Sequence, residues 1–293
     1  MMETIQLEHV CKSYPGQEHP AVDGVTLTIE KGSVYGLIGR NGSGKSSLAR
    51  ILAGILRPTS GDIWVDKKKD AAGTARWQRS SIAYLTQSPL ALNSMTVRES
   101  LDCFSRLYGA NQSKIQRENI LERLGLAQYG NQVVRSLSGG QSKLVQLGIA
   151  ISSERPFVIL DEPTNELDAF NRRLVWTEID RLARQEVTVL VITHAVSEVE
   201  SCLTHLGIMH EGRLIVSGTV DEVMQDNRKR RTIVYRTGSE SNGDHAVFEQ
   251  IVDEESIPRV VSELCGEGIT DITITSANLE DLFVAAVGYE GKV

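Results

Sequence analysis

A chain of 293 residues with 41% hydrophobic content is long enough to bury a sizeable core and to hold more than one domain. A net charge of −7 and an isoelectric point near 5.5 argue against a broad nucleic-acid-binding surface. No run approaches the roughly 20 apolar residues of a membrane-spanning helix, and Met1-Met2-Glu3-Thr4 lacks the charged and apolar regions of a signal peptide.

From Ile5 to about Ile82 the pattern predicts an antiparallel β portion with a strand–loop–helix unit inside it. Val34-Tyr35-Gly36-Leu37-Ile38 is an apolar stretch of strand length, and the residues from Ser47 to Gly54 carry apolar side chains at helical spacing. Between them, Gly39-Arg40-Asn41-Gly42-Ser43-Gly44-Lys45-Ser46 matches G-x-x-x-x-G-K-[ST] at every fixed position. Glycines let backbone N–H groups turn toward phosphates, and a helix N-terminus adds positive potential. Gly39, Asn41, Gly42, Ser43, Gly44 and Ser47 are therefore expected around the phosphates of ATP. Lys45 is expected on the β- and γ-phosphates and the Ser46 hydroxyl on Mg²⁺.

Lys67 to Arg79 is polar and basic and reads as a surface loop. Helices are expected around Val97–Leu101 and Ile115–Leu124, within a helical stretch at about 88–150. Leu137-Ser138-Gly139-Gly140-Gln141 is a Gly-rich helix start with Ser138 as N-cap. Such an end binds a γ-phosphate presented by another molecule. Phe157 to Leu160 reads as a buried strand that delivers Asp161 and Glu162, a pair suited to hold Mg²⁺ and to polarise an attacking water respectively. Val187 to Ile192 is a further strand that delivers Thr193-His194, with His194 expected on the γ-phosphate.

The tail begins with the basic run Arg228-Lys229-Arg230-Arg231, which reads as a solvated linker. Beyond it, strands at Thr232–Tyr235, Ala246–Phe248 and Ile269–Thr275 and helices at Pro258–Cys265 and Leu279–Val287 predict a small α+β unit. Cys11, Cys103, Cys202 and Cys265 are scattered, without metal-ligand spacing or a disulfide framework, and read as free thiols.

These motifs in this order resemble the nucleotide-binding subunit of an ABC transporter, and the resemblance covers residues 1 to about 222. It implies an α/β fold: a P-loop NTPase core with a parallel sheet, an antiparallel β subdomain and a helical subdomain. Residues 223–231 are then a linker and 232–293 an accessory unit. By the resemblance, Tyr14 stacks on adenine, and Gln87 senses Mg²⁺ and couples to the membrane partner. Ser138, Gly139, Gly140 and Gln141 form the signature. Asn165-Glu166-Leu167-Asp168 falls where the family makes a dimer-contacting loop. Glu162, His194 and Lys45 carry catalysis, with Ser46, Gln87 and Asp161 at the metal.

The implied cofactors are ATP and Mg²⁺. The implied partners are separate transmembrane permease subunits, met near Gln87–Tyr108, and a second ATPase subunit. That second subunit is taken as another copy of the chain, with a different chain as the alternative. The implied location is the cytoplasmic face of the membrane, as a peripheral subunit.

Some positions depart from the family: Glu166 stands where a small residue is usual, and Ser142-Lys143-Leu144 and Gly148-Ile149-Ala150 stand after the signature in place of a basic run and Ala-Arg-Ala. The closing Asn278-Leu279-Glu280-Asp281-Leu282-Phe283 resembles the tail of multidrug, antibiotic and lipid export ATPases, so export is expected. The alternatives are an importer ATPase and a non-transport ABC ATPase. The interval between Lys45 and Leu137 leaves no room for the coiled coil of chromosome-organising relatives.

Overall fold

The computed structural model describes residues 4–66, 68–70, 76–87, 94–196, 202–225, 229–237 and 246–288. Apolar alternation builds the first layer. In β1 (Thr4–Lys12) and β2 (Val22–Glu30), Ile5, Leu7 and Val10 meet Val25, Leu27 and Ile29, so the strands pair antiparallel and bury one face. The register shifts around His9, whose φ is 50°, and this returns Val10 to the buried side.

β3 (Val34–Ile38) is buried on both faces, as a central parallel strand is, and runs through the P-loop into α1 (Lys45–Leu52). β4 (Ser60–Val65) returns to the other edge of β1, and β5 (Lys68–Asp70) completes a sheet in the order β2-β1-β4-β5. α2 (Arg76–Ser81) then leads into β6 (Ile82–Leu85). The stretch 67–79, expected as a loop, thus contains β5 and the start of α2; residues 67 and 71–75 lie outside the described residues. Trp77 packs on the core beneath α1, and the buried Gln78 Nε2 donates to the Ile51 carbonyl at 3.2 Å. A single aromatic and a single amide anchor this segment, too little to show as periodicity.

The helical part comprises α3 (Val97–Leu107), α4 (Lys114–Arg123) and α5 (Gly139–Ser152). Each opens on a reciprocal capping box: Thr96 with Glu99, Ser113 with Gln116, and Ser138 with Gln141. Such a cap contributes about 1 kcal/mol. Every residue from Lys143 to Ser152 is buried, because α5 lies between α3, α4 and the main sheet.

β7 (Phe157–Asp161), α6 (Ala169–Arg184), β8 (Thr188–Thr193), β9 (His205–His210) and β10 (Arg213–Thr219) complete the main sheet. Its order is β10-β9-β3-β8-β7-β6, parallel except for the β9–β10 pair. Side chains alternate between two cores: Val158, Leu160, Val189 and Val191 face the helices, while Phe157, Ile159, Leu190 and Ile192 face α1 and the antiparallel sheet. Each fully buried side chain of this kind contributes about 1.5–3 kcal/mol.

α7 (Val220–Met224) precedes the C-terminal elements β11 (Arg230–Thr237), β12 (Ala246–Asp253), α8 (Ile257–Gly266), β13 (Ile272–Ser276) and α9 (Leu279–Val287). The strands form an antiparallel sheet in the order β12-β11-β13. α8 sets Val260 and Leu264 against Ile233 and Val252. On the opposite face, Thr232 Oγ1 donates to Asp281 Oδ2 of α9 at 2.8 Å, and Leu279 is buried in the core on the helical side of the main sheet. Arg230 and Arg231, expected in a solvated linker, instead open β11, and Arg231 pairs with Glu254 at 3.0 Å. Arg228 lies outside the described residues.

Candidate functional site

The P-loop connects the carboxyl end of β3 to the start of α1. Gly44 has a φ of 101°, and a Cβ there would overlap the Ala21 carbonyl, so only glycine fits. Lys45 is buried; its Nζ donates to the carbonyls of Gly39 at 2.6 Å and Arg40 at 2.9 Å. Burial lowers the Lys45 pKa, and the carboxylates of Glu162 and Asp161 act in the opposite direction. The Ser46 hydroxyl is 3.2 Å from Asp161 Oδ1.

Strand pairing explains the carboxylate site. β7 lies beside β8 with Asp161 opposite Ile192, so the residue that follows β7 meets the residue that follows β8. Those residues are Glu162 and His194: Nδ1 of the imidazole is 2.9 Å from Glu162 Oε1. Glu162 has a φ of 51°, a left-handed conformation that costs about 1–3 kcal/mol and concentrates at functional sites. Its N–H donates to the Ile192 carbonyl at 2.8 Å, which holds the residue in place. Glu162 Oε2 is buried with no hydrogen-bond partner among the described residues. A carboxylate held through one oxygen and unsatisfied at the other can accept a proton from a ligand.

The P-loop, Tyr14, Gln87 and Glu162 line one cleft of about 1040 Å³. The Tyr14 hydroxyl is 3.2 Å from Ser47 Oγ, and the Lys12 ammonium stands 5.5 Å from its ring centroid. The sequence reading missed the far wall, formed by Asp23 and the turn from His210 to Arg213. That turn is attached through the backbone: Gly212 N–H donates to the Ser43 carbonyl at 3.1 Å, and Asp23 N–H to the Gly212 carbonyl at 2.8 Å. Arg213 and Asp23 add an ion pair at 2.7 Å.

Ser138, Gly139, Gly140 and Gln141 start α5 and do not line this cleft. They meet the 165–168 loop of their own chain: a Cβ at Gly140 would press on Leu167 at 3.2 Å, and one at Gly139 would lie 3.5 Å from Glu166 Oε2. Lys143, one turn along α5, is buried, and burial lowers its pKa against the charges of Asp161, Glu162 and Glu166. The chain thus assembles Tyr14, the P-loop, Gln87, Asp161, Glu162 and His194, and leaves the signature apart.

Comparison with known proteins identifies the family. The family model described as "ABC transporter" matches residues 22–165. The chain is 30% identical to the daunorubicin resistance ATP-binding protein DrrA3 of Streptomyces coeruleorubidus, covering 93% of each chain. It is 29% identical to the bacitracin transport ATP-binding protein BcrA of Bacillus licheniformis, covering 98% of each. A bacterial ABC transporter cassette solved as a dimer superposes with a TM-score of 0.64 at 25% identity, over 74% of this chain and 98% of that one. By fold, by site and by these likenesses, the chain belongs to the ATP-binding subunits of ABC transporters, the ATPases that hydrolyse ATP to power transport.

Proposed function

We propose that two copies of this chain close head to tail around two ATP molecules and drive a separate membrane permease. The observation that carries this reading is the position of the Gly139–Gly140 helix start, exposed to partly exposed and outside the cleft of its own chain. A helix N-terminus suited to phosphate, lying outside the cleft of its own phosphate loop, serves the loop of a second molecule. In each site the P-loop cradles the phosphates, Lys45 meets the β- and γ-phosphates, and Tyr14 stacks on adenine. Glu162 takes the proton of the attacking water, while His194 holds the Glu162 carboxylate and contacts the γ-phosphate. Closure is stabilised by ATP through mass action, and loss of the γ-phosphate releases it.

Mg²⁺ fits Ser46 Oγ and Asp161 Oδ1, two hard oxygens 3.2 Å apart, with Gln87 on the same cleft. An ion held by two protein oxygens would complete its shell from phosphates and water. When bound there, the ion would supply positive charge to offset the charge that develops on the phosphates.

No helix of the described residues is long and apolar enough to cross a membrane. The likeness to ATP-binding subunits of transport systems supports a permease on other chains, with this subunit at the cytoplasmic membrane surface. The names of DrrA3 and BcrA support export of a drug-like or antibiotic cargo. In this reading residues 1–222 are the ATP-binding domain and the C-terminal elements an accessory unit. The permease face is placed around α3 and α4, where Leu107 and Ile115 are each 72% exposed. Arg98 and Glu99 are poor probes of it, because Arg98 is held by Glu118 and Asn131 and Glu99 caps α3. Membrane co-purification that survives Leu107→Glu and Ile115→Glu removes this face from the reading.

The central experiment is light scattering on Glu162→Gln with and without Mg-ATP. A monomer that becomes a dimer only with ATP is expected. A monomer that binds ATP and stays single overturns the proposal that two copies close on it.

A further inference from the structure

The sequence reading gave Tyr84 no role, yet it touches the centre of the site. It lies on β6, opposite Ile159 of β7. Alternation puts Phe157, Ile159 and Asp161 on one face of β7, so a long side chain beside Ile159 reaches along that face to Asp161. The Tyr84 hydroxyl donates to Asp161 Oδ2 at 2.9 Å, while Ser46 Oγ holds Oδ1 at 3.2 Å. Asp161 is almost fully buried, so each carboxylate oxygen is satisfied by one hydroxyl. Arg50, in the last turn of α1, is a positive charge beside the Tyr84 hydroxyl.

We propose that Tyr84 is a positioning residue for the metal-binding carboxylate. This inference rests on the assignment of Ser46 and Asp161 to Mg²⁺. By occupying Oδ2, Tyr84 fixes the carboxylate plane and leaves Oδ1 directed at the Ser46 side. Partners that hold a ligating carboxylate in this way typically change metal affinity about 10–100-fold when removed. Gln87 lies three residues after Tyr84 on the same segment and lines the cleft, so the hydroxyl also ties the Gln87 segment to the carboxylate.

The test uses the full chain carrying Glu162→Gln, loaded with ATP, with Mn²⁺ as the probe read by electron paramagnetic resonance. Tyr84→Phe is expected to weaken Mn²⁺ binding about 10-fold or more, while ATP binding in EDTA stays within twofold. A purely structural role would move both. Mn²⁺ affinity within twofold of the parent overturns the inference. Asp161→Asn separates the two levels: if it abolishes Mn²⁺ binding and Tyr84→Phe does not, only the role of Tyr84 fails. If neither variant changes it, the metal-site assignment fails as well. Should Tyr84→Phe not fold, Arg50→Met takes its place, since it removes the positive charge beside the hydroxyl and leaves Asp161 in place. A severalfold loss of Mn²⁺ affinity is then expected, and no loss overturns the inference.

Discussion

His194 and Glu162 are joined side chain to side chain, Nδ1 to Oε1 at 2.9 Å, although 32 positions separate them. His194 is about half exposed while Glu162 is buried, so the imidazole is the part of the pair that faces solvent. One oxygen of the carboxylate is thereby fixed and the other stays unsatisfied.

This pairing makes the two residues one functional unit. Glu162→Gln is expected to keep ATP binding and to lower hydrolysis by about 10²–10⁴, the usual range for a positioned proton acceptor. His194→Ala is expected to cost about 10² or more, because the carboxylate loses its support. The double variant should lose little beyond Glu162→Gln alone, since groups that act as a unit are not additive. Steady-state phosphate release on the four proteins checks this, and losses that multiply would make the roles independent.

Tyr14 is anchored at its edge by Ser47, with Lys12 near its ring. If a base is held by stacking, Tyr14→Phe should bind ATP within a few fold of wild type. Tyr14→Ala should lose about 1–3 kcal/mol, the range for a base on an aromatic platform. Stacking reads no base edge, so GTP should bind comparably. Titration with fluorescent ATP and GTP analogues checks this, and strict ATP selectivity would contradict it.

Lys143 predicts a pH dependence of stability. Its folded pKa lies below that of an unfolded lysine because burial disfavours the charge. Below the folded value the buried ammonium carries its full penalty. Between the two values the unfolded chain binds more protons, so stability rises with pH. Above the unfolded value, about 10.4, the penalty is gone. Lys143→Met should therefore be more stable than wild type near neutrality, by a margin that shrinks toward pH 10. Urea melts of both proteins at the two pH values decide it, and a constant margin argues against a titrating cause.

Glu166 has a φ of 66°, and its carboxylate approaches the Gly139 helix start. A left-handed conformation costs a residue with a Cβ about 1–2 kcal/mol. Glu166→Gly should remove that strain and raise the melting temperature by about 2–4 °C. It should also lower the ATP concentration that half-dimerises a Glu162→Gln background, because a carboxylate no longer opposes an incoming γ-phosphate. Differential scanning calorimetry and light scattering read the two effects separately, and a lower melting temperature would contradict the strain argument.

The main sheet and P-loop are legible because their signals are local: apolar runs for β3, β7 and β8, and fixed glycines between β3 and α1. The C-terminal elements are legible for the same reason, although β11 begins two residues earlier than the pattern of Thr232–Tyr235 indicates. What stays hidden is tertiary. β5 is three residues long and exists because β4 offers an edge. The far wall of the cleft is attached through backbone groups, which no side chain announces. Tyr84 reads as an ordinary strand aromatic until β6 pairs with β7. Arg98 and Glu99 are committed within the helical part, Glu99 to the cap of α3 and Arg98 to Glu118, a contact that only the packed helices create.

The burial of Leu279 in the main core has a consequence for exchanging parts between relatives. Beyond its covalent connection, the tail packs back onto the ATPase through α9. A chimera that keeps this ATPase and takes a foreign tail must therefore also supply an apolar side chain at the Leu279 position. A truncation ahead of α9 would unseat part of the ATPase interior, so loss of activity in such a protein would report damage to the engine and say nothing of what the tail controls.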